Sequence, residues 1–122
     1  MKRVLLADNS KSYRNVLRQL AEKAQFEIVG EAEDGIDAVE KYKALQPDLV
    51  IMDVDLPTVN GIQALKAMKQ DDANASVIII TSNDDTDNIR MASYLGAKAY
   101  LLKCFSKERI IETITNLKGR GQ

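Results

Sequence analysis

Short apolar runs alternate along this chain with longer stretches in which apolar residues recur every three or four positions. The first run is Arg3-Val-Leu-Leu-Ala7. After it, Tyr13, Val16, Leu17, Leu20, Ala21 and Ala24 trace one face of a helix. Glu27-Ile-Val-Gly-Glu-Ala32 reads as a weaker second strand. Ala38, Val39, Tyr42 and Leu45 then mark a second helix, ended by Pro47. Leu49-Val-Ile-Met52 and Val77-Ile-Ile-Ile80 are apolar at every position, as expected of strands covered on both faces of a parallel sheet. Between them Gly61 opens a helical stretch through Ile62, Leu65 and Met68. Asp85 to Leu95 has weak helical amphipathicity and stops at Gly96, and Ala99-Tyr-Leu-Leu102 is the fifth run. Ser106 is placed to cap a last helix whose face is Ile110, Ile111, Ile114 and Leu117 and whose end falls at Gly119. A strand–helix unit repeated in this way predicts an α/β fold, a parallel sheet with helices on both faces. The chain is too short for an eight-stranded barrel, so an open five-stranded sheet of order 2-1-3-4-5 is expected.

The 122 residues are the length of one ordinary domain, so residues 1–122 are read as a single unit. Seventeen Lys and Arg against eighteen Asp and Glu leave a net charge of −1, which gives no electrostatic basis for binding nucleic acid. Without any His, imidazole metal sites, Ser-His-Asp triads and His general bases are all excluded. Cys104 is the single cysteine, so no intrachain disulfide can form. The longest apolar runs are far too short to span a bilayer, and no signal-peptide pattern follows Met1-Lys2-Arg3. A cytoplasmic location is the expectation.

In open α/β sheets ligands bind outside the carboxyl ends of the strands. On the expected order those ends carry Asp8-Asn9 after strand 1, Asp53 after strand 3, Thr81-Ser82 after strand 4 and Lys103 after strand 5. Two carboxylates, an amide, hydroxyls and an ammonium then meet on one rim. Each has a use if a phosphoryl group is handled. Two nearby carboxylates attract a hard cation such as Mg²⁺, Asp is a competent nucleophile toward phosphorus, and Thr and Lys can stabilise phosphoryl oxygens. The same residue types at strand ends are individually commonplace; their convergence on one edge is what points to chemistry. Cys104 reads as a small neighbour of this rim, and Tyr100 as a half-buried core residue or a movable aromatic.

Val4-Leu-Leu-Ala-Asp-Asn9, Pro47-Asp-Leu-Val-Ile-Met-Asp53, Asp53-Val-Asp-Leu-Pro57 with Gly61, Ile80-Thr-Ser82, Gly96-Ala97 and Tyr100-Leu-Leu-Lys103 with Phe105 together resemble the receiver domains of bacterial two-component response regulators, most of all the stand-alone chemotaxis type. The resemblance runs from Val4 to Leu117 and implies the flavodoxin-like (βα)5 fold. It implies that Asp53 accepts a phosphoryl group from a partner histidine kinase. It also implies that Asp8, Asn9, Asp53 and the backbone carbonyl of Asp55 hold Mg²⁺. Lys103 would contact the phosphate, Thr81 would shift toward it and Tyr100 would turn inward. The face formed by helix 4, strand 5 and helix 5 would then bind a downstream target. Two positions depart from the family's usual pattern. Asn9 stands where a second acidic residue is usual, which predicts weaker metal binding. Cys104 stands where Pro usually follows the lysine, which predicts a trans Lys103–Cys104 peptide.

Other readings compete. Leu49 to Asp55 also fits the apolar-run-then-DxD signature of haloacid-dehalogenase-type phosphatases, with Asp53 as nucleophile and Asp55 as general acid, but only Glu108 and Glu112 follow the lysine as acidic candidates. A flavin-phosphate binder would need the Ser10–Ser12 loop to hold a phosphate beside the repelling Asp8. A pseudo-receiver, acting through protein contacts without phosphorylation, is the third alternative, raised by Asn9.

Overall fold

The computed structural model describes residues 1–120. The apolar runs form strands β1 (Lys2–Ala7), β2 (Phe26–Ala32), β3 (Leu49–Met52), β4 (Val77–Thr81) and β5 (Ala99–Leu102). The periodic stretches form helices α1 (Lys11–Lys23), α2 (Gly35–Leu45), α3 (Gly61–Asp71), α4 (Thr86–Tyr94) and α5 (Lys107–Arg120). The strands make one sheet of order β2-β1-β3-β4-β5, with every adjacent pair parallel. This is the order expected from the sequence.

Strand alternation divides the core in two. Leu5, Ala7, Val50, Met52, Val77 and Ile79 pack with Ala38 and Tyr42 of α2, Ala64, Leu65 and Met68 of α3, and Ala92 of α4. Val4, Leu6, Leu49, Ile51, Ile78 and Ile80 pack on the opposite side with Leu17, Leu20 and Ala21 of α1 and Ile110 and Ile114 of α5. Both faces of β1, β3 and β4 are therefore buried, which is why their sequences are apolar runs rather than alternations. Each fully buried Leu or Ile contributes about 1.5–3 kcal/mol.

Polar residues set the helix starts. Ser10 accepts from the Tyr13 amide, Asp34 from the Asp37 amide, and Asn60 and Gln63 form a reciprocal capping box. Asp85 accepts from the Asp87 and Asn88 amides, and Ser106 accepts from the Arg109 amide as its sequence position suggested. One boundary is corrected: α5 does not end at Gly119 but continues to Arg120. Glycine costs a helix only about 1 kcal/mol relative to Ala and does not oblige it to stop. Among the described residues every peptide bond is trans, Lys103–Cys104 included, and no helix is long and apolar enough to cross a membrane.

Candidate functional site

Strand register puts the chemically active side chains side by side. Ala7 pairs with Met52, so Asp8 and Asp53, one residue further on, leave adjacent strands together, and the Asp53 amide donates to the Ala7 carbonyl at 2.9 Å. Thr81 pairs with Leu102, and the Lys103 amide donates to the Thr81 carbonyl at 2.8 Å. Four side chains from four strand ends thereby converge with no long loop between them.

Their contacts centre on Asp53. Its Oδ1 accepts from Thr81 Oγ1 at 2.5 Å and from the Asp55 amide at 3.1 Å. Its Oδ2 accepts from Lys103 Nζ at 2.9 Å. The same Nζ lies 2.8 Å from Asp8 Oδ2, within ion-pair range but off the direction of a hydrogen bond. Asp8 is fully buried, and its Oδ2 is the only buried side-chain oxygen or nitrogen among the described residues without a hydrogen bond. Asp8 Oδ1 accepts from the Ser10 amide at 2.8 Å.

The charge balance is two carboxylates to one ammonium. Burial pushes the Asp53 carboxyl up, but the bonds from Thr81, Lys103 and the Asp55 amide outweigh it and hold the acid below its ordinary range. Burial also dominates at Asp8, and there it wins over Lys103 and the Ser10 amide, so its acidity is weakened. Lys103 is disfavoured by burial yet held above its ordinary range by the two carboxylates. The lysine is therefore charged at neutral pH, and it faces two carboxyl groups, of which Asp53 is the stronger acid and Asp8 the weaker.

The other rim residues stand further out. Asn9 and Ser82 are exposed, and neither side chain makes a hydrogen bond among the described residues. Asp55 is also exposed, and its Oδ1 accepts from Asn83 Nδ2 at 3.2 Å. Tyr100 is half-buried, and its hydroxyl donates to the Asn83 carbonyl at 2.6 Å, with burial, then Asp55 and Asp53, raising its pKa. Cys104 is exposed. Among the described residues no three acidic, Cys or His side chains cluster as a metal site, so a cation here would combine two carboxylates with neutral oxygens.

Several supports had no contact with the site assigned from the sequence, although Tyr13 stood on the α1 face and Gly61 in the motif that begins at Asp53. Arg14 is buried, and its Nη1 donates to the Asp8 carbonyl at 2.6 Å while Nε donates to Glu31 at 2.8 Å. Its signal was a cation on the inward side of α1, three residues before Leu17. Tyr13 lies with its ring centre 4.1 Å from Lys103 Nζ. Asn83 bridges Asp55 and Tyr100. Gly61 and Gly35 are close-approach positions. A Cβ at Gly61 would lie 2.1 Å from the Asp53 carbonyl oxygen, and one at Gly35 would lie 1.7 Å from that of Val59.

A parallel sheet of this order, with paired carboxylates, a hydroxyl and a lysine at its carboxyl edge, defines a receiver domain. The response regulator receiver domain model matches residues 4–115, and the chain belongs to that family, the signalling module of two-component systems. Among particular relatives, it is 41% identical to the chemotaxis protein CheY of Halobacterium salinarum, over 95% of this chain and 96% of that one. It is 39% identical to Protein CcdB of Bacillus subtilis, over 98% and 99%. The CheX-CheY-BeF3-Mg²⁺ complex from Borrelia burgdorferi superposes with a TM-score of 0.90 at 28% identity, covering 96% of this chain and 89% of that one. The chain is thus a CheY-like receiver domain.

Proposed function

We propose that this chain is a cytoplasmic, phosphorylation-dependent switch in which Asp53 accepts a phosphoryl group from a partner histidine kinase. The observation that carries this reading is the pair of donors on opposite oxygens of one carboxylate, Thr81 on Oδ1 and Lys103 on Oδ2. In the transfer, an Asp53 carboxylate oxygen forms a bond to phosphorus while the bond from phosphorus to the donor's imidazole nitrogen breaks. The nitrogen keeps the electron pair, and the acyl phosphate forms with no change of oxidation state. The Lys103 ammonium and the Thr81 hydroxyl are then within reach of the phosphoryl oxygens and stabilise their charge.

The donor set suits Mg²⁺. All candidate ligands are oxygens, and the unsatisfied Oδ2 of Asp8 lies buried beside Asp53. Asp8, Asp53, Asn9 and the Asp55 backbone carbonyl would hold the ion, which when bound offsets negative charge on the phosphoryl oxygens. Ser82, next to Thr81, is available to the outer phosphoryl oxygens. Thr81, leaving Asp53 Oδ1 for a phosphoryl oxygen, would shift the loop that carries Asn83. The Tyr100 hydroxyl on Asn83 would carry that change to the α4, β5 and α5 face, where a downstream target binds.

Mass spectrometry after incubation with acetyl phosphate and Mg²⁺ tests the reading. A gain of one phosphoryl group is expected, absent from Asp53→Asn. Labelling that persists in the variant would reassign the acceptor. A wild-type protein that takes no label from acetyl phosphate or a kinase would favour phosphorylation-independent contacts, the reading that the uncharged and exposed Asn9 supports.

A further inference from the structure

We propose that Tyr13 is a positioning residue for Lys103, its ring holding the ammonium against the two carboxylates. This rests on the reading of Asp53 as the phosphoryl acceptor. Lys103 Nζ has three protons to place. One goes to Asp53 Oδ2 at 2.9 Å, Asp8 Oδ2 is an ion-pair partner at 2.8 Å, and the Tyr13 ring centre lies 4.1 Å away. An ammonium at that distance from an aromatic face is attracted by the ring quadrupole, the more so where water is excluded. Only 19% of the Lys103 side chain is exposed, although it follows a strand end at the surface of the sheet.

The ring is held from behind. The Tyr13 amide donates to Ser10 Oγ at 3.2 Å, which starts α1, and the next residue, Arg14, donates to the Asp8 carbonyl at 2.6 Å. Arg14 is itself fixed to Glu31 at 2.8 Å. The first turn of α1 is thereby tied to the same backbone that carries Asp8, so ring and carboxylate keep a constant separation. A lysine has four rotatable side-chain bonds and would otherwise sample many positions. Here one position is selected before the phosphoryl donor arrives. The ring acts on the reaction only through Lys103.

The test is the rate of labelling by acetyl phosphate in Tyr13→Leu and Tyr13→Phe, with folding checked by urea denaturation. Leu should slow labelling about 3- to 10-fold, while Phe, which keeps the ring, should stay within about twofold of wild type. In a Lys103→Met background Tyr13→Leu should cause no further loss. Equal rates for Leu and wild type, a Phe variant as slow as Leu, or a loss that persists without Lys103 would each overturn the proposal. The contact has an independent readout. The Lys103 ε-methylene protons should be shifted upfield by the ring in the wild-type NMR spectrum, retain that shift in Tyr13→Phe and lose it in Tyr13→Leu. Unshifted protons in the wild type would overturn the contact even if both variants failed to fold. A wild-type protein that shows the shift but takes no label would instead refute the acceptor reading, and the role of Tyr13 with it.

Discussion

Gly61→Ala should damage the protein twice, in its stability and at Asp53. The added carbon would lie 2.1 Å from the Asp53 carbonyl oxygen, 2.8 Å from Val54 Cα and 2.9 Å from the Asp53 carbonyl carbon. Contacts of a real Cβ essentially never fall below 3.0 Å, so the closest must open from 2.1 Å by about 0.9 Å. All three atoms are backbone, and no side-chain rotation relieves them. The movement must also stretch the bond from the Gly61 amide to the Val54 carbonyl, now 2.8 Å. Overpacking costs about 1–3 kcal/mol, and a backbone collision belongs at the upper end. Alanine recovers about 1 kcal/mol through lower unfolded-chain entropy and better helix propensity. A net loss of about 2 kcal/mol remains, which for a domain of this size lowers Tm by roughly 6–10 °C. Thermal unfolding followed by circular dichroism measures the first effect, and acetyl phosphate labelling at a temperature where the variant is folded measures the second. Gly96→Ala is the contrast. Gly96 has φ +91°, and its added carbon would meet only the end of Lys69, at 3.3 Å. Left-handed strain should cost about 1–2 kcal/mol there and leave labelling unchanged. A Gly61→Ala protein with wild-type Tm and wild-type labelling would refute the steric reasoning.

Three further outcomes are expected. Asn9→Asp should tighten Mg²⁺ about tenfold in a fluorescence or calorimetric titration, the net of added attraction and lost hydration, and should lower the metal-free Tm by crowding Asp8 and Asp53. Glu31 is held below its ordinary range first by Arg18, with Arg14 adding to this against burial, so its stabilisation is present above the unfolded value of 4.5 and is lost as pH falls through the lower folded value. Glu31→Gln should therefore reduce the acid-side slope of stability measured by urea unfolding. Tyr42 is raised by burial and then by Asp72, whose Oδ2 accepts its hydroxyl at 2.9 Å. Its contribution is complete below the unfolded value of 10.0 and declines as pH rises from there, so Tyr42→Phe should lose about 1 kcal/mol at neutral pH and show a flatter alkaline decline.

The strands were legible because burial on both faces removes polar residues. β3 and β5 have the bounds that Leu49–Met52 and Ala99–Leu102 suggested, and β4 gains only Thr81. The convergence of Asp8, Asp53, Thr81 and Lys103 was legible for the same reason: each follows such a run, and parallel register brings the run ends together. What surrounds them was not. Tyr13 counted as one more apolar position on α1, since periodicity says which way a ring faces but not that a lysine ninety residues later lies against it. The demand for glycine at positions 35 and 61 comes from backbone approaching across the fold, which no local pattern encodes.

The two glycine contacts make the site mechanically lopsided. On one side the loop after β3 is wedged backbone to backbone, Gly35 under Val59 and Gly61 under Asp53, and the Gly35 amide is tied to the Pro57 carbonyl at 3.2 Å. On the other side the loop from Ser82 to Asp85 is held through side chains, by Asn83 to Asp55, Asn83 to the Asp85 amide and Tyr100 to Asn83. Beyond it α4 buries only Ala92. The site works as a vice with one jaw welded and one jaw on a hinge. On the proposed reading, bulk or charge added at Asp53 would meet backbone on one side and side-chain bonds on the other, and the displacement would go toward Asn83, Tyr100 and α4.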